Sequence, residues 1–334
     1  MSVRNFGQGW YSFFTPAWRR FFRRAIGWIL LVVLAWQLFT GQKLEQWWAH
    51  LLESWGQGAG WKYLLPALLL MPLNWTLEAL KWRQLMGPEQ KLSWRSTWTS
   101  VLAGISISLA TPNRIGEYGG RAMVAPSDQA VRIVWTSLLG SLCQWTAFLV
   151  CGWPSLCYWF YQWYGWPLSL TYALALMVPA SVVLFWALLF RMRLWRYLSH
   201  WLRRNKWWRW AQRRLLHLAD IPVRTALIAL ALALLRFAVY CFQLLLILWF
   251  FNASLSFSKG ISGIFSIYLI QAGIPLPPGL SVISRSEIAV LFWQGLGISS
   301  LSIVSATFSV YLINLVLPAL AGTWIILRKK SSTR

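Results

Sequence analysis

The chain has 334 residues, of which 58% are apolar and only 12% charged, with a mean hydropathy of +0.51. That composition excludes a disordered chain, a collagen-like chain and an ordinary soluble domain. The 31 Lys and Arg against 8 Asp and Glu give a formal charge of +23, a balance that points to nucleic acid until the positions of the charges are considered.

Taken in order, the apolar runs are Ala25–Thr40, Trp61–Leu80, Ile133–Trp153, Leu168–Phe190, Thr225–Phe251 and Leu301–Leu327. Each approaches or meets the roughly 20 residues needed to cross a bilayer core, the first being short. Two further runs are broken. Trp98–Ala110 stops at Thr111-Pro112-Asn113-Arg114, and Ile261–Ile274 stops at Pro275-Leu276-Pro277-Pro278-Gly279. The first run begins only after 24 residues and lacks a small-residue cleavage site, so it reads as a retained anchor rather than a signal peptide.

The basic residues sort by position. Arg19, Arg20, Arg23 and Arg24 precede the first run, and Lys81, Arg83, Lys91 and Arg95 follow the second. The 191–224 loop is dense in Arg and Lys, and Arg328, Lys329, Lys330 and Arg334 follow the last run. Loops near 41–60, 152–167 and 252–260 are almost free of them. By the positive-inside rule, both termini and the basic loops face the cytoplasm. The charge is then explained by topology and attraction to an anionic membrane surface, and nucleic acid is not an expected partner. Trp195–Leu218, where tryptophans alternate with Arg and Lys, reads as an interfacial amphipathic helix.

The expected organisation is a basic cytoplasmic segment over 1–24, one transmembrane domain over 25–327 including the 191–224 loop, and a tail over 328–334. Parity requires residues 98–130 to enter and leave on the cytoplasmic face and 261–300 to do so on the outer face. The fold predicted is all-α: about six spanning helices and two re-entrant helical hairpins entering from opposite faces, the alternative being that each broken segment is two short spanning helices. Breaks of this kind are tolerated only inside protein or beside a water-filled cavity, and facing broken helices form the substrate sites of secondary transporters. Pro112, Gly116, Gly119, Gly120, Pro277, Pro278 and Gly279 are the expected hinge positions, the glycines allowing close backbone approach.

Ionisable residues within membrane segments are costly and mark function. Arg114, Glu117 and Arg121 follow helical spacings of three and four and share a face. Arg285 and Glu287 lie in the second broken segment, and Arg236 lies deep in the run from Thr225. These six are the expected substrate-binding residues. Glu78 is read as pairing with Lys81 near the cytoplasmic end. Counting Glu78, the deepest arginines outnumber the glutamates by one. Surplus guanidinium favours phosphate or carboxylate, which Arg binds bidentately.

The other candidates carry less. The histidines, His50, His200 and His217, fall in loops far apart, so no metal is expected. Ser281, Ser284 and Ser286 have no evident base, which gives no catalytic residue and no cofactor chemistry. The cysteines, Cys143, Cys151, Cys157 and Cys241, read as buried small apolar residues. Asn252-Ala253-Ser254 fits a glycosylation sequon on the outer face.

The run Thr111-Pro112-Asn113-Arg114-Ile115-Gly116-Glu117, with Arg121 four residues on, resembles the Pro-x-Arg-x-Gly-Glu-x-x-x-Arg signature of the lysylphosphatidylglycerol synthase transmembrane family. The Pro-rich segment ending at Glu287 is similar to its second signature, although Pro278-Gly279-Leu280-Ser281 lacks the second and third glycines. The resemblance covers most of the chain. It implies an inner-membrane protein moving an anionic or modified phospholipid, or another polar lipid, between leaflets. It also implies that Pro112, Arg114, Gly116, Glu117 and Arg121 carry the site. A lipid-modifying membrane enzyme and a non-transporting accessory, partnered with an envelope-synthesis enzyme, are the alternatives.

Overall fold

The computed structural model describes residues 25, 28, 32, 43–56, 60–87, 92–109, 111, 115–124, 130–190, 222–276 and 278–328. All regular structure among them is helical. In chain order the helices are α1 (Lys43–Gly56), α2 (Trp61–Met86), α3 (Trp94–Ser108), α4 (Gly116–Val124), α5 (Ala130–Tyr164), α6 (Leu168–Phe190), α7 (Val223–Phe250), α8 (Phe257–Ala272), α9 (Pro278–Trp293), α10 (Ser300–Tyr311) and α11 (Leu317–Arg328). A π-helical turn, Leu312–Val316, joins α10 to α11 as one continuous rod.

Among the described residues, five elements are long and apolar enough to cross a membrane: α2, α5, α6, α7 and the α10–α11 rod. The chain is therefore an all-α, polytopic membrane protein. In hydrocarbon every backbone polar group must find a partner within the protein, which is why these apolar runs are helices. The predicted span over 25–40 and the predicted interfacial helix over 195–218 lie outside the described residues, apart from 25, 28 and 32, which are helical.

The structure corrects several boundaries. The expected 41–60 loop contains α1, whose Trp47 and His50 bond Ser309 and Ser302 of α10. His50 is thus on a helix, stacked 5.2 Å from the Phe251 ring. The expected loop over 152–167 is mostly the end of α5, which runs 35 residues, about 50 Å, and stops only at Gly165, where φ is +62°. Helix α2 runs six residues past the apolar stretch, to Met86, and carries Lys81 with it into the interior.

Helix α7 packs along α2 more extensively than any other pair of elements. Its order is antiparallel: Phe250 lies at Gly60, Gln243 at Ala67 and Arg236 at Asn74. Position numbers rise on one helix as they fall on the other.

The two broken segments form helical hairpins. Helices α3 and α4 have 15 and 9 residues, and α8 and α9 have 16 each. At 1.5 Å per residue none exceeds about 24 Å, too short for a hydrocarbon core of roughly 30 Å. In the first hairpin a Cβ on Gly116 would lie 2.6 Å from the Ile107 carbonyl oxygen, and one on Gly120 would lie 2.6 Å from that of Ala103. The pairing is antiparallel and backbone touches backbone. Gly116 and Gly120 thus let the two backbones approach closely, whereas a Cβ on Gly119 meets nothing within 4 Å. It lies on the open side of α4. Across the other face of α3, a Cβ on Gly322 of α11 would sit 2.0 Å from the Leu102 carbonyl oxygen. The first hairpin is thereby clamped between α11 and α5. The second packs against α5 through α8 and against α10 through α9. Val282, near the start of α9, shares a buried cluster with Val101 and Ile105 of α3 and with Leu109 just beyond it, so the two hairpins converge on one core.

Candidate functional site

Where α2, α4 and α7 meet, the interior is charged. Glu78, buried on α2, accepts contacts from three cations: Lys81 Nζ at 2.7 Å, Arg121 Nη2 at 2.7 Å and Arg236 Nη1 at 3.0 Å. Arg121 also pairs with Glu117, one turn earlier on α4. Three cations therefore share two carboxylates, and the cluster keeps one surplus positive charge. The aromatic walls reinforce this preference for cations. The Arg121 guanidinium lies 5.1 Å from the Trp82 ring centre, and that of Arg236 lies 5.1 Å from Trp75. Among the described residues the Arg121 Nε and Trp82 Nε1 donors are buried without a hydrogen-bond acceptor.

A chain of amides extends from the charges along α2. Arg236 Nε donates to Asn74 Oδ1 at 2.9 Å and Nη1 donates to Gln144 Oε1 at 3.2 Å. Asn74 Nδ2 donates to Asn314 Oδ1 at 3.3 Å, and Asn314 Nδ2 donates to Gln243 Oε1. Gln243 Nε2 ends the chain on the Ala67 carbonyl at 2.7 Å. Asn74, Asn314 and Gln243 each accept at the oxygen and donate onward, which fixes their orientation. Asn314 enters the chain from the π turn, a local widening that recurs at functional sites. From Ala67 to Lys81 the polar track covers about 21 Å of α2, roughly two-thirds of a hydrocarbon core.

Of the residues expected from sequence, Glu117, Arg121 and Arg236 are brought together here. Arg114, Pro112 and Pro277 lie outside the described residues. Pro278 is the first residue of α9, where its missing N–H costs nothing, and Gly279 follows it. Arg285 stands elsewhere: its Nε donates to Gln271 Oε1 and its guanidinium lies 4.8 Å from the Tyr268 ring centre. Glu287 is exposed, and at two residues' remove it projects about 200° around α9 from Arg285.

The largest revision concerns Glu78. It does pair with Lys81, as expected, but as the hub of the cluster rather than at a helix end. Lys81, Asn74, Gln144, Gln243 and Asn314 were not anticipated. Their signal was present in the sequence: each is a polar residue inside or beside a run long enough to span, where polar groups rarely stand without a partner. Glu78 and Lys81, three residues apart, also share a helix face.

No curated protein and no solved structure matches the chain. A family model does: that of the lysylphosphatidylglycerol synthase TM region, over residues 23–322. The match takes in both hairpins and every described member of the charged cluster, and the chain belongs to this family of membrane proteins.

Proposed function

We propose that the protein moves a phospholipid or other polar lipid with an anionic headgroup between leaflets, and that the Glu78-centred cluster is where the headgroup is held. The observation that carries this reading is the surplus of buried cation: Lys81, Arg121 and Arg236 around Glu78 and Glu117. A buried charge without a counter-ion is expensive, so the cluster gains most from an anion that arrives with its own hydrogen-bond acceptors. Phosphate oxygens match the guanidinium fork bidentately. Arg236 and Glu117 are the most open members, at 11% and 15% side-chain exposure, so the headgroup enters on their side. It binds by exchanging with Glu117 for Arg121, which leaves Glu117 free to meet a cationic headgroup group. The acyl tails stay in the bilayer beside the bundle. Arg114, from the matching signature, is assigned to the same site.

The test is leaflet transfer of fluorescent phosphatidylglycerol in liposomes containing the purified protein, read by dithionite quenching. Wild type should exceed protein-free vesicles, and Arg236→Gln and Arg114→Ala should each lower the rate at least tenfold while still inserting. If wild type transfers no polar lipid, the proposal fails.

A further inference from the structure

Arg285 poses a separate problem. It lies seven residues into α9, within a hairpin too short to cross the membrane, and among the described residues it forms no ion pair. Its partners are neutral. Gln271 receives its Nε, and the Gln271 amide is itself held by donation of Nε2 to the Ser281 carbonyl at 2.6 Å. That bond turns the amide oxygen toward the guanidinium. Tyr268, 5% exposed, supplies a ring face beneath the charge, and Tyr240, edge-on at 5.1 Å from Tyr268, takes a further hydrogen bond from the guanidinium. These contacts orient a guanidinium and neutralise none of its charge. Lys81, Arg121 and Arg236 at least share two carboxylates; Arg285 has none.

Its place is equally informative. Tyr240 follows Arg236 by one turn on the same face of α7, about 6 Å along the axis. The Arg285 cage therefore lies next to the Glu78 cluster, one turn nearer the C-terminal end of α7. Ile283 and Leu291, at 50% and 69% exposure, put apolar surface of α9 against the lipid beside it.

We infer that Arg285, with Gln271 and the Tyr268 ring, forms a second anion-binding station for a phosphate group, distinct from the Glu78 cluster and following it along α7. The ring, the pinned amide and the Tyr240 hydroxyl hold the guanidinium, and the N–H donors not engaged by Gln271 and Tyr240 are left for phosphate oxygens. The lipid reading above supplies the identity of the ligand as a headgroup phosphate. The binding itself does not depend on transport.

Delipidated protein in detergent is titrated with phosphatidylglycerol, phosphatidylcholine or inorganic phosphate, and the retained ligands are counted by native mass spectrometry. Wild type should retain one more phosphatidylglycerol than Arg285→Gln. Arg285→Lys, which keeps the charge without the fork, should retain it about tenfold more weakly. Occupancy by inorganic phosphate alone also supports the station and makes free phosphate its ligand, and Arg285-dependent retention of phosphatidylcholine supports a phosphate fork that does not read the rest of the headgroup. An unchanged count in Arg285→Gln overturns the station. Should that variant not fold, wild-type affinity in Arg285→Lys does the same. If liposomes show no transfer but Arg285-dependent binding persists, only the transport reading falls. If transfer occurs and Arg285 has no effect on binding, only the station falls.

Discussion

Replacing Glu78 by Gln keeps the shape of the side chain and removes one negative charge. Lys81, Arg121 and Arg236, with 2%, 3% and 11% of their side-chain surface exposed, then share Glu117 alone. The buried surplus rises from one positive charge to two. Removing one partner of a buried ion pair costs about 3–5 kcal/mol, because the charge left behind has no water to turn to. Three cations lose a partner here, so the upper part of that range applies. At about 2 °C per kcal/mol this is a fall in Tm of roughly 8–10 °C. Thermal unfolding of the purified protein in detergent, followed by tryptophan fluorescence, measures it. Lys81→Met is the control. It removes the surplus cation and leaves two arginines against two glutamates, so its cost should stay below about 2 kcal/mol. Stability of Glu78→Gln within about 1 kcal/mol of wild type, or a larger loss in Lys81→Met, would refute the electrostatic reading of the cluster.

Glycine substitutions should divide sharply. Gly120→Ala and Gly322→Ala place a Cβ 2.6 Å and 2.0 Å from carbonyl oxygens of α3 and should lower Tm or abolish monodisperse protein, whereas Gly119→Ala meets nothing and should match or exceed wild type, since Ala favours helix by up to about 1 kcal/mol. Orientation is checked by thiol labelling in a cysteine-free background. Ser254→Cys should react with an impermeant reagent in intact cells, and Ser331→Cys only after permeabilisation; the reverse pattern would invert the assignment of faces.

The charged cluster was only half legible in the sequence. Glu117 and Arg121 announced themselves by spacing, and Arg236 by its depth in an apolar run. Glu78 counts among the deep charges but reads as one half of a pair at the helix end, and Lys81 is missed because the apolar run stops at Leu80 while the helix does not. Hydropathy registers where side chains become polar, whereas a helix ends where its hydrogen-bonding ladder ends. Lys81 looked like a residue at the water interface and is 2% exposed, its Nζ held by Glu78 and its stem beside Gly140, 59 residues away in the chain.

The sequence by itself determined the class, since apolar runs of spanning length can only be helices in a bilayer, and it placed the breaks at Pro and Gly that divide the short helices. It also determined the family, through residues 111–121. Only the tertiary structure decided which buried charges meet. Arg121, Arg236 and Lys81 are drawn to one carboxylate because the antiparallel register of α2 and α7 aligns Arg236 with Asn74 and Glu78, and the glycine seam of α3 and α4 brings Arg121 in behind them. The same packing separates Arg285 from that cluster and leaves it among neutral partners. Spacing along one helix is a local property, but neutralisation of charge is settled between helices. The +23 read at the outset therefore says little about the interior, where the count that matters is three cations against two carboxylates.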